Sequence, residues 1–198
     1  MSNLAHDITL YFIRHGETDW NRLRRLQGQM DIPLNDTGRL QAARNGRALR
    51  EIVSDAEAMP FVASPMLRTA ETMEILREAA GFPRNGYQTD DRLREVHYGS
   101  WEGVYLTEVA KTDPAGYAER KANKYRWRPR GGESYADLSV RAGAWLSEIT
   151  QDTIVVSHGG VSRVLRGLLL DLAEAEIPVL EVPQDRIMIL RSGHVSWA

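Results

Sequence analysis

The sequence predicts a layered α/β fold with a mostly parallel central sheet. Short apolar runs that are rich in β-branched and aromatic residues alternate with longer segments of helical periodicity. Strands and helices that alternate in this way are typical of parallel strands joined by helical crossovers. No internal repeat, low-complexity tract or linker interrupts the pattern. For a chain of 198 residues we expect one domain that spans residues 1–198.

The composition excludes several classes of function. A net charge of -2 and a pI near 6.2 provide no basic field for nucleic acid or an anionic membrane. The chain has no cysteine, which rules out disulfides, thiol catalysis and thiolate metal sites. The N-terminus is polar, and no apolar stretch approaches the roughly 20 residues that a membrane helix needs. We therefore expect a soluble, cytoplasmic protein with neither nucleic acid nor a membrane as its partner.

The first half of the chain is predicted to hold two strands and two helices. β-Branched and aromatic residues mark the strands at residues 8–13 and 60–63. The first helix spans residues 35–53, because an Asn-Asp-Thr-Gly sequence starts it and small or apolar residues recur along one face. The second helix spans residues 67–80 and is ended by Gly81.

The second half is predicted to be irregular at first and then to resume the alternation. Residues 87–132 begin with a glycine-containing loop and continue into one or two helices interrupted by a proline. A serine cap starts a helix over residues 134–149. A buried strand at residues 153–156 leads into a helix at 161–172. Two apolar runs around a Ser-Gly turn predict a hairpin at residues 186–197.

Two of the predicted strands run directly into a histidine–glycine pair. The strand at residues 8–13 is followed by Arg14, His15 and a glycine, and the strand at 153–156 by a serine, His158 and two glycines. Ligands of open α/β sheets bind outside the carboxyl ends of the strands. The chain has only five histidines, so two of them at strand ends indicate one shared site.

Two arginines and these two histidines are the residue types that phosphoryl chemistry needs. An arginine guanidinium is a planar fork of donors that suits phosphate oxygens. Arg14 ends the first strand, and Arg68 lies one turn into a helix that follows a strand, where the helix N-terminus attracts anions. A neutral imidazole is a nucleophile toward phosphorus, and nearby cations keep it unprotonated. A second histidine, held protonated, would stabilise charge on the transferring group.

Each of these residues also has a plainer interpretation. A histidine at a strand end is often a hydrogen-bonded structural residue, and Arg68 alone is typical of a helix surface. A metal site built from His15, His158 and a carboxylate is a real alternative, because such a set binds zinc or iron. Arg14 argues against it, since a fixed guanidinium repels a divalent cation, and the chain has no His-Glu-x-x-His spacing. We therefore expect neither a metal nor another cofactor.

Five segments of the chain, in this order, form a recognisable series. They are Arg14-His15-Gly16-Glu17-Thr18 with Asn21, Leu26-Gln27-Gly28 with Asp31-Ile32-Pro33-Leu34, residues 64–72, residues 93–103, and Ser157-His158-Gly159-Gly160. The series resembles the signatures of the histidine phosphatase superfamily, in its phosphoglycerate-mutase-like branch, over about residues 7 to 170. One Arg-His-Gly sequence is a weak signal, whereas five ordered segments are specific.

The resemblance implies an α/β/α sandwich and a two-step phosphoryl transfer through a phosphohistidine. His15 matches the nucleophile of the family. The positions that match the pocket for the phosphoryl oxygens are Arg14, Asn21, Gln27, Arg68, His158 and Gly159.

The resemblance also implies a general acid. Glu95 matches the residue that protonates the leaving oxygen and then activates water as a base. The residue types alone do not decide between Glu95 and four of its neighbours in the sequence as the general acid. These neighbours are Asp90, Asp91, His97 and Glu102.

Three functions are compatible with the family resemblance. We predict a phosphomonoester hydrolase, because the mutases that resemble this chain are longer and carry Gly-Asn-Ser after the second histidine, where this chain has Gly-Gly-Val. A shorter, more open site favours hydrolysis. A cofactor-dependent phosphoglycerate mutase is the first alternative, because His97-Tyr98-Gly99 resembles the mutase version of its loop. A phospho-ligand binding module is the second, although it requires loss of a nucleophile or acid that this chain retains.

The segment 111–130 is predicted to form part of the wall or lid above the phosphate. It is rich in basic and aromatic residues, which suit an acidic or ring-bearing phosphomonoester such as a nucleotide or sugar phosphate. A solvated basic helix and loop is the alternative interpretation. We expect a small-molecule phosphomonoester as the partner, and the sequence leaves open whether two copies form a homodimer.

Overall fold

The fold is built on a mixed six-stranded sheet. A computed structural model describes residues 8–198. The strands are β1 (Thr9–Arg14), β2 (Phe61–Ala63), β3 (Gln88–Thr89), β4 (Thr153–Ser157), β5 (Ile187–Arg191) and β6 (His194–Trp197). Their order in the sheet is β3-β2-β4-β1-β5-β6. The first four of this order are parallel, whereas β5 and β6 add an antiparallel hairpin at one edge.

Seven α-helices accompany the strands in the described part of the chain. They are α1 (Asp19–Arg22), α2 (Asp36–Ile52), α3 (Leu67–Ala79), α4 (Leu106–Thr112), α5 (Pro114–Ala122), α6 (Tyr135–Leu146) and α7 (Gly159–Leu169). Single 3-10 turns lie at Ala56–Ala58, Asp91–Leu93, Gly99–Trp101 and Ile177–Val179. Between residues 8 and 198, no helix combines the length and the apolar character that crossing a membrane requires.

Alternating side chains of the central strands fill two separate cores. Leu10 and Phe12 of β1 pack with α6 and α7 on one face of the sheet. Ile13 of the same strand packs on the other face with residues of α2 and α3. Successive strand residues point to opposite faces, so each face buries its own set of apolar side chains. This arrangement confirms the predicted α/β/α sandwich with a mostly parallel sheet.

Most predicted elements are present, with differences at their ends. The predicted helix at 161–172 is wrong at both ends: it begins at Gly159, because His158 has extended backbone and serves as the N-cap. It ends at Leu169, because the chain turns into a left-handed conformation at Asp171, whose φ is 51°. The predicted helix at 134–149 stops at Leu146. The two-residue strand β3, which is exposed and carries no apolar residue, was not predicted.

Three parallel strands end at the same edge of the sheet. Arg14 at the end of β1 lies opposite Ser157 at the end of β4. Beyond these strands the pairing continues, since the His15 N–H donates to the Ser157 carbonyl at 2.9 Å. On the other side of β4, the Ser64 N–H donates to the Val156 carbonyl at 3.0 Å. The residues that follow β1, β2 and β4 are therefore brought together, as predicted for the two histidines.

Candidate active site

His15 is a buried imidazole whose two nitrogens have different partners. Nδ1 lies 2.7 Å from the Gly16 carbonyl oxygen, which can only accept, so Nδ1 carries the hydrogen. Nε2 accepts a hydrogen bond from Arg68 Nε at 3.2 Å. Burial, and then the charges of Arg68 and Arg14, hold the pKa of His15 well below its ordinary value of 6.5. The ring is therefore neutral, with the Nε2 lone pair facing a cation.

Arg68 reaches the histidine from the first turn of α3. Its side chain is fully buried, and its Nη1 and Nη2 donate to the carbonyl oxygens of Met30 and Gly28, each at 2.9 Å. Burial lowers the pKa of Arg68 to about 10, so it stays cationic at neutral pH. Gly28 has a φ of 54°, and a Cβ there would lie 2.0 Å from an oxygen of Glu102. The loop therefore needs glycine at this position.

Arg14 holds a second positive charge at the same edge. Its Nη1 donates to the Val182 carbonyl at 2.8 Å, and its buried Nε has no hydrogen-bond partner among the described residues. Burial lowers the pKa of Arg14 to about 10. A Cβ added to Gly159 would lie 3.5 Å from Arg14 Nε. The guanidinium therefore lies against the first residue of α7.

His158 faces His15, with 5.2 Å between the ring centroids. Its Nε2 is 2.8 Å from the Ser64 hydroxyl, while its buried Nδ1 has no partner among the described residues. Burial, and then the charges of Arg68 and its neighbours, hold the pKa of His158 well below 6.5. Burial, and then the cations that also act on His15, thus disfavour the protonated second histidine that the sequence led us to expect.

Glu95 lies on the irregular chain between β3 and α4 and reaches the first turn of α7. Its carboxylate accepts from the Gly160 N–H at 3.0 Å and from the Val96 N–H at 2.9 Å. A Cβ at Gly160 would lie 2.2 Å from the same carboxylate oxygen, so glycine permits this approach. The charge of Glu95 also acts on both Arg14 and Arg68, so Glu95 belongs to the same site.

The four other candidates for the acid are engaged elsewhere. Asp90 accepts from Arg92, and Asp91 accepts from Arg94 at 2.6 Å. Glu102 accepts the backbone N–H groups of Gln29 and Tyr98. His97 lies with its Nε2 3.5 Å from a Glu102 oxygen. Of these five residues, Glu95 bonds to the first turn of α7, which directly follows His158.

The remaining predicted positions differ in what they contact. The Asn21 side-chain oxygen accepts from the Thr18 N–H and from Gln184 Nε2, each at 3.1 Å, which leaves its amide N–H groups for another acceptor. Gln27 is buried, and its Oε1 has no partner among the described residues. Gly159 begins α7 beside Arg14.

Several residues that the sequence analysis did not single out support this site. Gln184 donates to the His15 carbonyl at 3.0 Å as well as to Asn21. The Gly16 N–H donates to the Thr72 hydroxyl at 3.1 Å. Ser64 had a usable signal, because it directly follows a predicted strand, and each of the two histidines comes one residue later than that after its own strand. Gln184 and Thr72 had no such signal.

This arrangement suits a tetrahedral dianion. Two arginines and two neutral imidazoles converge on one place, and two of their buried nitrogens, Arg14 Nε and His158 Nδ1, have no partner among the described residues. Neither arginine forms an ion pair within residues 8–198. Over the same range, no three His, Asp or Glu side chains form a group that could hold a metal ion.

A model of the histidine phosphatase superfamily (branch 1) matches residues 10–198, the range that contains every part of this site. The chain belongs to the histidine phosphatase superfamily. The family resemblance of the five sequence segments is thereby confirmed.

Relatives within the superfamily differ in the activity that they are named for. The chain is 32% identical over 197 residues to the glucosyl-3-phosphoglycerate phosphatase of Mycolicibacterium vanbaalenii, with 93% of this chain and 84% of the relative covered. It is 34% identical over 157 residues to a probable phosphoglycerate mutase of Salmonella paratyphi C, with 77% and 70% covered. A solved mycobacterial glucosyl-3-phosphoglycerate phosphatase in complex with VO3 is 27% identical, with a TM-score of 0.79 and 98% and 97% coverage.

The protonation states of this histidine phosphatase lead to a first prediction. Because burial and two arginines lower both pKa values, His15 and His158 should stay neutral at about pH 6, where an ordinary imidazole is mostly protonated. Long-range ¹H–¹⁵N NMR spectra of the imidazole nitrogens, recorded from about pH 8 to 5.5, report this directly. His15 should show a protonated Nδ1 throughout. Protonation of either ring between pH 6 and 7 would contradict the assigned electrostatics.

Proposed function

We propose that this protein is a phosphomonoester hydrolase that works through a phosphohistidine on His15. The observation that carries the proposal is the neutral His15, whose Nε2 lone pair lies within hydrogen-bond distance of Arg68, a buried cation with no ion pair among residues 8–198. A nucleophile held unprotonated among cations suits attack on an anionic ester. Glu95, whose charge acts on both Arg14 and Arg68, is the residue that we assign as proton donor to the leaving group.

In the first half of the proposed reaction, His15 takes the phosphoryl group. The phosphoryl oxygens accept hydrogen bonds from the guanidinium groups and from His158 Nδ1. Arg68 Nε turns its hydrogen bond from His15 to a phosphoryl oxygen, which frees the Nε2 lone pair. Nε2 then bonds to phosphorus as the bond between phosphorus and the ester oxygen breaks. Glu95 supplies the proton that the leaving oxygen takes.

The Gly16 carbonyl supports this step through the opposite nitrogen. Once Nε2 bonds to phosphorus, the imidazole becomes a cation and keeps its hydrogen on Nδ1. The bond from Nδ1 to the Gly16 carbonyl, 2.7 Å long, then becomes charge-assisted and strengthens. The same contact fixes the tautomer before attack and stabilises the phosphoenzyme after it.

In the second half, water takes the phosphoryl group from His15. Glu95, now a carboxylate, accepts a proton from the attacking water. The new bond joins this oxygen to phosphorus, the bond between phosphorus and Nε2 breaks, and Nε2 recovers its lone pair. Inorganic phosphate and the neutral imidazole are formed, and Glu95 is again protonated for the next cycle.

Arg163, on which the charge of Glu95 acts, and the cations near it favour a substrate with a second negative charge. The position of a Cβ on Gly159 would be 3.4 Å from Arg163 Nη1, so Arg163 flanks the same glycine as Arg14. Burial, then Arg120 and Arg163, lower the pKa of Lys124 to about 8. Within the described residues, none of these three outer cations forms an ion pair.

The basic segment 111–130 therefore divides into two parts. Arg120 and Lys124 lie toward Arg163 and support the predicted wall beside the phosphate. Arg126 and Arg128 are exposed and pair with acidic side chains of the protein, as expected of a solvated surface. The first part supports a small phosphorylated metabolite with an acidic leaving group as the substrate.

The phosphoenzyme is the subject of the second prediction. A substrate with a labelled phosphoryl group, quenched rapidly without acid, should leave label on the protein in an acid-labile, base-stable bond. His15→Ala should abolish this bond, whereas His158→Ala, which removes one oxyanion donor, should slow its formation by about 10² to 10³-fold. Label that persists in His15→Ala would place the nucleophile elsewhere.

The same preparation separates hydrolysis from mutase activity and from binding alone. Release of nitrophenol from p-nitrophenyl phosphate indicates a phosphatase. Isomerisation of 3-phosphoglycerate that requires a bisphosphate primer would indicate a mutase instead. Binding of phosphate esters without either reaction would indicate a binding module.

The third prediction concerns metal ions. Arg14, Arg68 and His158 supply the donors and positive charge that a metal would otherwise bring to the phosphoryl group. Excess EDTA should therefore leave the hydrolysis of p-nitrophenyl phosphate unchanged, and vanadate, which mimics five-coordinate phosphorus, should inhibit it. Activity that is lost on chelation and restored by zinc or magnesium would overturn the assignment.

The fourth prediction compares two substrates that differ in one charge. 3-Phosphoglycerate carries a carboxylate where glycerol 3-phosphate carries a hydroxymethyl group. A charge-assisted contact with Arg163 should raise kcat/KM for the carboxylate substrate by about 10- to 100-fold. Arg163→Gln should bring this ratio toward one. Arg166→Gln, on the same helix but with its Nη1 bound to the Glu181 carbonyl, should preserve it. A ratio near one in the unmodified protein would contradict the outer cation site.

A further inference from the structure

The loop that carries Glu95 has no regular structure of its own at that residue. The preceding 3-10 turn ends at Leu93, and the next begins at Gly99. A group that transfers a proton must nevertheless be held within about 0.5 Å of its working position. The contacts that hold this loop therefore bear on how the acid works.

Arg141 on α6 supplies most of these contacts. Its Nη1 donates to the carbonyl oxygens of Arg92 and Arg94, both at 2.7 Å. Its Nη2 donates to the carbonyl oxygen of Glu95 itself at 3.0 Å. The other two N–H donors go to Glu133, at 2.9 Å each. All five donors of the guanidinium are thus used, three of them on the backbone that leads into Glu95.

Arg141 and the three carbonyls to which it donates form a clamp on the chain that leads into Glu95. Glu133 extends this clamp to the chain that follows Glu95. One of its carboxylate oxygens accepts from the His97 N–H at 3.0 Å, and its own N–H donates to the His97 carbonyl at 2.8 Å. The Arg141–Glu133 pair therefore brackets Glu95 from residue 92 to residue 97. Gln29 adds one more donor to the Glu95 carbonyl, at 3.1 Å.

We infer that Arg141, with Glu133, is a positioning residue for Glu95. Among residues 8–198, Arg141 makes no hydrogen bond to His15 or to either arginine of the phosphate pocket. It acts on the backbone from which the acid side chain extends. A planar fork is needed, because only a guanidinium can donate to three carbonyls and a carboxylate at once. Lysine has three donors on one atom and cannot reproduce this set. The inference rests on the proposed function, since positioning matters only if Glu95 transfers a proton.

A positioning role predicts a loss that depends on the leaving group. An acid matters most when the leaving oxygen departs poorly, so an alkyl phosphate needs Glu95 far more than p-nitrophenyl phosphate does. A displacement of about 1 Å costs about 10²-fold in such a step. Arg141→Lys should therefore slow phosphoenzyme formation from glycerol 3-phosphate about 10 to 100 times more than from p-nitrophenyl phosphate. Pre-steady-state bursts measure this step separately from the attack of water.

A double-mutant cycle tests whether the effect passes through Glu95. Glu95→Gln alone should slow the alkyl reaction by about 10² to 10⁴-fold. Once the proton donor is gone, Arg141→Lys should add little further loss, because the two residues act as a unit. Arg92→Lys is the matched control: Arg92 lies at the same loop and pairs with Asp90 and Glu148, but its side chain has no contact with Glu95. It should leave the ratio between the two substrates unchanged.

Other outcomes would overturn the inference. Equal losses on both substrates, or losses that add fully to those of Glu95→Gln, would mean that Arg141 only stabilises the fold. If Arg141→Lys does not fold, as judged by thermal unfolding, Glu133→Gln is used in its place, because it weakens the same clamp without removing the guanidinium. A protein that hydrolyses neither substrate would instead overturn the proposed function.

Discussion

Arg14 and Ser157 lie opposite each other at the ends of the parallel strands β1 and β4, and the site depends on this register. The hydrogen bond from the His15 N–H to the Ser157 carbonyl extends the pairing one step beyond the strands. It brings the rings of His15 and His158 to a centroid separation of 5.2 Å. Because strand side chains alternate between faces, a shift of one residue would separate the two imidazoles.

The two arginines of the site are held by carbonyl oxygens rather than by carboxylates. Arg68 donates to two backbone carbonyls and to His15, and Arg14 donates to one carbonyl. Carbonyl partners satisfy a buried guanidinium without cancelling its charge. Carboxylates would hold the same side chains, but they would remove the field that lowers the pKa of both histidines. The choice of partners thus links the packing of the site to the reactivity of His15.

Features encoded by consecutive residues could be predicted from the sequence, whereas those assembled from distant segments could not. An apolar run followed by a histidine and glycine is a local signal, and it correctly predicted that His15 and His158 lie side by side. The predicted start of α7 is two residues too late. His158 caps this helix with extended backbone, and the glycines that follow it rarely indicate a helix start in a sequence. Glu95 had acidic neighbours of equal promise, and its carboxylate accepts from the Gly160 N–H, 65 residues away. No periodicity or spacing records such a contact.

Under the proposed mechanism, the pocket binds the phosphoryl oxygens through donors that do not contact the rest of the ester. Arg14, Arg68 and His158 would bind those oxygens in the same way whether an ester or inorganic phosphate is present. Under the proposed mechanism the released phosphate therefore competes with the next substrate molecule for one set of donors. The outer cations around Arg163 are then the part of the protein that distinguishes substrate from product. The rate of turnover would then depend on the ratio of ester to free phosphate around the enzyme. Inhibition by the phosphate product would follow from the way in which the two buried guanidinium groups are held.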